Sequence, residues 1–329
     1  MISQKITIIV PVYNAAKRLA NCLNSIVNQS FANFECILIN DGSTDNSLEI
    51  CQNFANIDSR FIVLDCENQG PSAARNKGLD IVKTPWVTFV DADDYIMPSY
   101  LSNFVKYNTD DETTQVIQGY YCEGHDGIDN DTIYNSKSFI HTEVDCNNGL
   151  DYVDTNNLLY NWGVWCKIFN TSLLNRYRIR FNENIRCGED GLFWHTYLCH
   201  IDKIIFISEI GYTYFCPRIY SSISRQGTTT YSLPQHIELC QSYKTIYDRL
   251  TKKFRFGLNS KKLLLNLYLD NYYKVILKRH DINNSFWPDI TKIRPNHKYF
   301  TLTKRGIIYA ILNIFPPKLI NTFGNILYH

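Results

Sequence analysis

The chain has 329 residues, 45% of them hydrophobic and 20% charged, an ordinary globular make-up that can bury a sizeable core. No apolar run approaches the roughly 20 residues of a membrane-spanning helix, and "MISQKITIIVPVYN" lacks the basic-then-apolar pattern of a secretory leader. Eleven Cys, an odd number without a C-x-x-C pair, point to reduced thiols and a cytoplasmic setting rather than a disulfide framework.

In chain order, 5–10, 34–39, 61–64 and 86–90 read as short buried strands, and 17–28, 44–56 and 71–81 as the helices between them. This alternation predicts an α/β fold with a mainly parallel sheet covered on both faces. Such sheets place ligands at the carboxyl ends of their strands. "PVYN", "NDGSTD" and "DADD" therefore converge on one crevice. From 109 to 151 a single strand-like run, 115–121, is followed by polar loops. The stretch 161–224 holds short motif-like pieces, and the chain turns helical after Tyr231. Charge follows the same division. Residues 251–329 carry 14 Lys and Arg against Asp270, Asp281 and Asp289, so the first 250 residues carry a net −10 within a total of +1. A basic region of this kind faces an anionic partner.

"FVDADDYIMP" drives a buried strand straight into Asp91, Asp93 and Asp94. Carboxylates this close raise one another's pKa unless a cation sits between them. Hard oxygen ligands suit Mg²⁺ or Mn²⁺ completed by substrate phosphates; a solvated acidic loop, with Asp94 at a helix N-terminus, is the plain alternative. Asp41 of "NDGSTD" is either a ligand acceptor or part of a strand–turn–helix joint with Gly42 at the turn. Arg75 of "NQGPSAARNKG" is either a phosphate or base contact or a solvated helix residue; the segment is neither a dinucleotide nor a P-loop glycine motif. Glu189 and Asp190 of "CGEDGLFW" open an apolar-periodic helix. Lys167 of "NWGVWCKIF" is a snorkelling core lysine or a ligand contact, and Arg218 of "CPRIYSSIS" a phosphate clamp or a surface residue. No H-x-x-x-H or H-E-x-x-H pair supports a His-rich zinc site.

Taken in order, "VPVYN", "NDGSTD", "NQGPSAARNKG", "FVDADD", "WCKIF" and "GED" resemble the successive motifs of the inverting family 2 glycosyltransferases, over roughly residues 6–224. The resemblance implies a doubly wound GT-A domain at 1–224, its nucleotide-binding half 1–108 and acceptor-binding half 109–224, followed by a mostly helical, basic extension at 225–329. It implies Pro11 and Tyr13 against the nucleotide base, Asp41 reading uracil, and Arg75 contacting the nucleotide. It makes Asp91 and Asp93 a D-x-D motif, with Asp93 as metal ligand and Asp91 near the ribose or metal shell, and Asp190 the general base. Lys167, Glu189 and Arg218 are further candidates for diphosphate or acceptor contacts. One departure stands out: where many relatives carry a "YYYR"-like segment, this chain has "YTYF", with Phe215 in the basic position.

The expected activity is metal-dependent transfer, with Mn or Mg, of a sugar from a nucleotide diphosphate, UDP by resemblance, to a glycan or lipid-linked glycan in surface polysaccharide assembly. The rivals are a non-catalytic nucleotide-sugar or glycan-binding module of the same fold, an Asp-dependent phosphatase and a nucleotidyltransferase. Nucleic acid is not an expected partner. "KRGIIYAILNIFPPKLI" near the C-terminus reads either as an interfacial segment that places the protein on the inner face of the membrane or as helices packed on protein.

Overall fold

The computed structural model describes residues 5–107, 111–125, 131–145, 158–160, 163–215, 231–253 and 258–277. The chain divides into two compact units: Met1–Asn148 with Asn161–Thr229, and Gly149–Tyr160 with Thr230–His329.

The first unit is built on a five-stranded sheet of β1 (Ile6–Val12), β2 (Phe34–Asp41), β3 (Phe61–Cys66), β4 (Trp86–Phe89) and β9 (Phe169–Asn170), in the order β3-β2-β1-β4-β9. The first four run parallel and β9 antiparallel. In β1, "ITIIVPV", every residue but Pro11 is buried, as befits a parallel strand covered on both faces. Between the strands run α1 (Ala16–Val27), α2 (Ser47–Ile57) and α3 (Pro71–Ile81). In α1 the buried Leu19, Cys22, Leu23 and Ile26 recur at helical spacing and form one apolar stripe. α3 starts with Pro71, whose missing N–H costs nothing at a helix start, after Gly70 at φ +94°. Gly78 lets α3 lie close on the sheet, since a Cβ there would come within 3.1 Å of the Ile9 and Ile39 side chains. The strand order reverses at β1, so the crevice beyond β1 and β4 is the topological switch point.

After β5 (Tyr95–Ile96) and α4 (Tyr100–Tyr107), the chain forms a second sheet from β5, β6 (Thr114–His125), β7 (Asp131–Lys137) and β10 (Lys203–Phe215), in the order β5-β10-β6-β7, with β8 (Thr142–Asp145) also paired to β10. This corrects the expectation of polar loops after residue 121. The "YTYF" segment is likewise the end of β10. Two further helices, α5 (Thr171–Arg176) and α6 (Glu189–Leu198), complete the unit. Phe89, Phe169, Phe181 and Phe193 pack edge-to-face or stacked beneath the crevice.

In the second unit, α7 (Leu233–Lys253) and α8 (Leu258–Leu277) bury Leu239, Cys240, Leu250, Leu264 and Leu265. His236 Nδ1 meets Asn271 Oδ1 at 3.0 Å. The expected helical C-terminal region is present. No described helix is long and apolar enough to cross a membrane. The segment "KRGIIYAILNIFPPKLI" lies outside the described residues.

Candidate active site

Tyr13 stands at the end of β1 with about half of its surface exposed (48%). Beside it, Asn14 takes φ +48°, its backbone N–H donates to Ser43 Oγ, and its side chain accepts from Thr44 N at 2.8 Å. These bonds join the first two motifs. Asp41, at the end of β2, is buried, and its two oxygens accept the backbone N–H groups of Gln69 and Gly70 at 2.9 and 2.8 Å. Its carboxylate thus anchors the turn that starts α3. Gly42 is required at that joint. It has φ +68°, and a Cβ would lie 2.8 Å from Asn68 N.

Arg75 is not solvated. It is buried, donating to Asp91 Oδ1 at 2.8 Å and Asp190 Oδ1 at 3.2 Å, with Glu189 Oε1 4.0 Å away and the Phe181 ring beneath it at 5.3 Å. This one guanidinium reaches Asp91, 16 positions along the chain, and Asp190, 115 positions along it. Its Nε–H is buried without a hydrogen-bond partner. Burial opposes its charge, but Asp190, Asp91 and Glu189 together hold its pKa above the ordinary arginine value.

Glu189 and Asp190 form the first turn of α6, which starts after Gly188 at φ +85°, and the helix dipole favours their negative charge. Burial nevertheless dominates. It raises Asp190 above the usual carboxylate range, with Arg75 pulling the other way and Asp91 adding to the rise. Glu189 is pushed up to about 7 by burial first and by Asp190 second. Lys167 does not snorkel. Its side chain is inside, Nζ donating to Gly163 O at 2.5 Å and lying 5.0 Å from the Trp194 ring centroid, and burial lowers it to about 8.

The three carboxylates after β4 have three different environments. Asp91 is half-buried on Arg75. Asp93 is exposed, and crowding that thins its hydration, with Asp91 alongside, pushes it up to about 6. Asp94 is buried rather than solvated at a helix N-terminus. Tyr212 Oη donates to its Oδ2 at 2.5 Å and Phe215 N to its Oδ1 at 2.7 Å. The same Tyr212 hydroxyl accepts from Asp91 N at 3.1 Å. Asp94 thereby ties the D-x-D loop to β10, a role that its sequence neighbours do not signal. Arg18 of α1 donates from Nε to Asp93 O at 3.2 Å and lies 3.3 Å from the Phe215 ring centroid, so a cation does sit by the aromatic that fills the "YYYR" position. Arg218 lies outside the described residues.

Among the described residues, no group of three or more His, Cys, Asp or Glu side chains is placed to hold a metal ion. An exposed Asp93 next to a half-buried Asp91 is instead the partial donor set that Mg²⁺ takes when phosphates complete its shell. A divalent cation fits that set, because it would stabilise the charged form of Asp93 against the poor hydration that raises it first and the Asp91 charge that raises it second.

The model of glycosyl transferase family 2 matches residues 7–177, more than half of the chain. The chain belongs to this family. Among its family 2 relatives, glycosyltransferase GlyA of Streptococcus pneumoniae is 32% identical over 220 residues, which cover 65% of this chain and 31% of GlyA. The poly(ribitol-phosphate) beta-glucosyltransferase of Bacillus spizizenii is 31% identical over 221 residues, covering 65% of this chain and 32% of that protein. The match thus spans about a third of either relative. In structure, S. aureus TarS 1-349, solved in complex with UDP-GlcNAc, aligns with a TM-score of 0.62 and 20% identity over 92% of this chain and 82% of its own. The expected GT-A fold is the fold observed.

Proposed function

We propose that this family 2 chain is an inverting, metal-assisted transferase that moves a sugar from a nucleotide diphosphate to a hydroxyl of a surface polysaccharide or teichoic-acid-type glycan. The observation that carries the reading is Arg75, which holds a carboxylate of the D-x-D motif and the candidate base Asp190 on one buried guanidinium. A non-catalytic module has no use for that cost. Names among the relatives, a poly(ribitol-phosphate) glucosyltransferase and a teichoic acid poly(glycerol phosphate) polymerase, support the acceptor class. The fold shared with a chain solved with UDP-GlcNAc makes UDP the first nucleotide to test.

In this reading the half-exposed Tyr13 stacks on the base beside Pro11, and Asp41, held by its two backbone donors, faces the uracil edge. Asp93 and the second oxygen of Asp91 would hold a Mn or Mg ion, whose charge offsets that of the diphosphate leaving group. Asp190 accepts the proton of the acceptor hydroxyl. That oxygen bonds to the anomeric carbon as the bond to the diphosphate oxygen breaks on the opposite face, inverting the centre. Burial of Asp190 makes it a stronger base than a solvated aspartate. Arg75 positions both carboxylates rather than touching the nucleotide itself.

Two measurements test the proposal. Calorimetry should show UDP binding with Mn²⁺ that is lost with chelator. Asp190→Asn should lower nucleotide release from a UDP-sugar about 10²- to 10⁴-fold, the usual worth of a general base, with UDP affinity retained. Full turnover in Asp190→Asn would remove Asp190 as the base, and chelator-insensitive UDP binding would remove the metal.

A further inference from the structure

Next to Arg75 on α3 stands Asn76, 7% exposed, its side chain taken up by the segment that leads into α6. Its Oδ1 accepts the Phe181 N–H at 2.9 Å, and its Nδ2 donates to Phe181 O and to Glu183 Oε1, each at 2.9 Å. The amide meets the Phe181 backbone as a second peptide would, satisfying a donor and an acceptor that lie buried. One turn further along α3, Asp80 accepts from Arg180 Nε at 3.1 Å. Residues four apart share a helix face, so α3 grips 180, 181 and 183 from one side. Beyond the grip, Ile185 N donates to Asn182 O and Asn184 N to Asn182 Oδ1, a short turn that ends where Gly188 opens α6.

The gripped residue carries the ring that the charged elements share. Phe181 stacks on Phe193 with centroids 4.1 Å apart and planes within 3° of parallel, and meets Phe89 edge-on at 5.2 Å. The Arg75 guanidinium lies 5.3 Å from the same ring. Phe193 follows Glu189 and Asp190 by one turn of α6, and Phe89 is the last residue of β4, two before Asp91. A shift of the Phe181 backbone therefore moves the floor of the guanidinium and one face of α6 together. The Asp190–Arg75 bond, at 3.2 Å, is already at the long end of the ordinary range, so a small displacement of α6 breaks it. All three Asn76 side-chain bonds end on Phe181 and Glu183, so any effect of Asn76 on Asp190 passes through that segment.

We infer that Asn76 is a positioning residue: by holding Phe181 and Glu183 on α3 it sets α6, and with it Asp190, at bonding distance from Arg75. Its part in catalysis rests on the proposed transfer, in which Asp190 is the base; its part in the Asp190–Arg75 contact does not.

The test asks whether Asn76→Ala and Asp190→Asn act independently in the intact chain. Urea unfolding followed by tryptophan emission is recorded for the wild type, each single variant and the double. Substitutions at residues without shared partners change stability additively. If Asn76 sets the contact, Asp190→Asn shifts the urea midpoint in the Asn76→Ala background by about half or less of its shift in the wild type. Equal shifts in the two backgrounds would overturn the inference and leave Asn76 as a bond of the fold alone. Should Asn76→Ala not fold, Asn76→Asp takes its place in the cycle, since it keeps the shape and the acceptor for Phe181 N–H and loses the donor to Phe181 O. Amide exchange in the wild type needs no variant. Phe181 N–H should exchange as slowly as the interior of α3, and exchange at the rate of an exposed loop would overturn the grip. In kinetics, Asn76→Ala should lower nucleotide release from UDP-GlcNAc about 10²-fold, with UDP affinity and calorimetric stoichiometry retained. Unchanged release, or a stoichiometry that falls in step with release, would overturn the positioning role. If the wild-type chain releases no nucleotide, the proposed transfer fails, and the unfolding cycle still supports or overturns Asn76 by itself.

Discussion

Replacing Arg75 by Met tests the central feature of the site, because it keeps the bulk and removes the guanidinium charge that three carboxylates surround. The oxygens of Asp91, Asp190 and Glu189 lie 2.8, 3.2 and 4.0 Å from the guanidinium nitrogens. At an effective dielectric of about 20, each contact is worth roughly 4–6 kcal/mol before the cost of desolvating the charges is deducted. That cost is large, since only 6% of the Arg75 side chain is exposed. The net loss on removing one partner of a buried ion pair is about 3–5 kcal/mol, most of it the penalty of stranding the remaining charges.

The loss must depend on pH in a defined direction. Arg75 lowers Glu189 and Asp190 against the upward push of burial. Without it both rise further, and the folded variant takes up protons that the wild type releases. The destabilisation is then smaller at pH 5 than at pH 7.5. Urea unfolding followed by tryptophan emission reads mainly the relevant unit, because four of the five Trp, all but Trp287, lie in the unit that contains Arg75. Adding Asp91→Asn, Glu189→Gln and Asp190→Asn to Arg75→Met should restore most of the stability, since removing all the charges together strands none of them. A loss below about 1 kcal/mol at pH 7.5, or an equal loss at both pH values, would refute the clamp.

Glu189 makes its own prediction. Its folded-state value of about 7 lies above its ordinary 4.5, so the stability it contributes is full below pH 4.5 and lost as pH rises through 7. Glu189→Gln should abolish up to about 3 kcal/mol of that decline, read as unfolding midpoints at pH 5 and 7.5, and parallel midpoints in the two proteins would contradict the assignment. Tyr212→Phe removes the hydroxyl shared by Asp94 and Asp91 N. It should cost about 1–3 kcal/mol on urea unfolding, as expected for buried polar groups left unsatisfied, and an unchanged midpoint would mean that water replaces the hydroxyl.

What the sequence reveals of this protein follows the range of the interactions. β1, β2 and β4 are legible because burial on both faces leaves a local, continuous apolar run. α3 was readable to the residue because Gly70 and Pro71 mark its start. Of the second sheet only β6 is legible, as the strand-like run at 115–121. β6 and β10 pair across about ninety residues, with a register shift near Ile210. In "YTYF" nothing local distinguishes a strand end from a loop motif. The apolar and turn residues that mark β7 and β8 are too few to stand out.

The site divides along the same line, and the division has a physical reason. An acidic residue after a buried strand is conspicuous because solvation by itself gives it no reason to follow an apolar run, so Asp91 and Asp93 can be found from their neighbours. Neutralisation carries no such local mark. The cation that answers Asp91 is 16 residues away and the one that answers Asp190 is 115 away, and they are the same arginine. On its own helix Arg75 has the appearance of a surface residue. Only its burial among acids contributed by other elements turns it into the joint of the site. The same holds for Tyr212, an ordinary aromatic in sequence, which acquires a role from the Asp91 N–H and the Asp94 carboxylate that lie across from it. Electrostatic and stacking partners are therefore fixed by topology, and in a switch-point crevice the topology brings together residues whose local sequences carry no sign of one another.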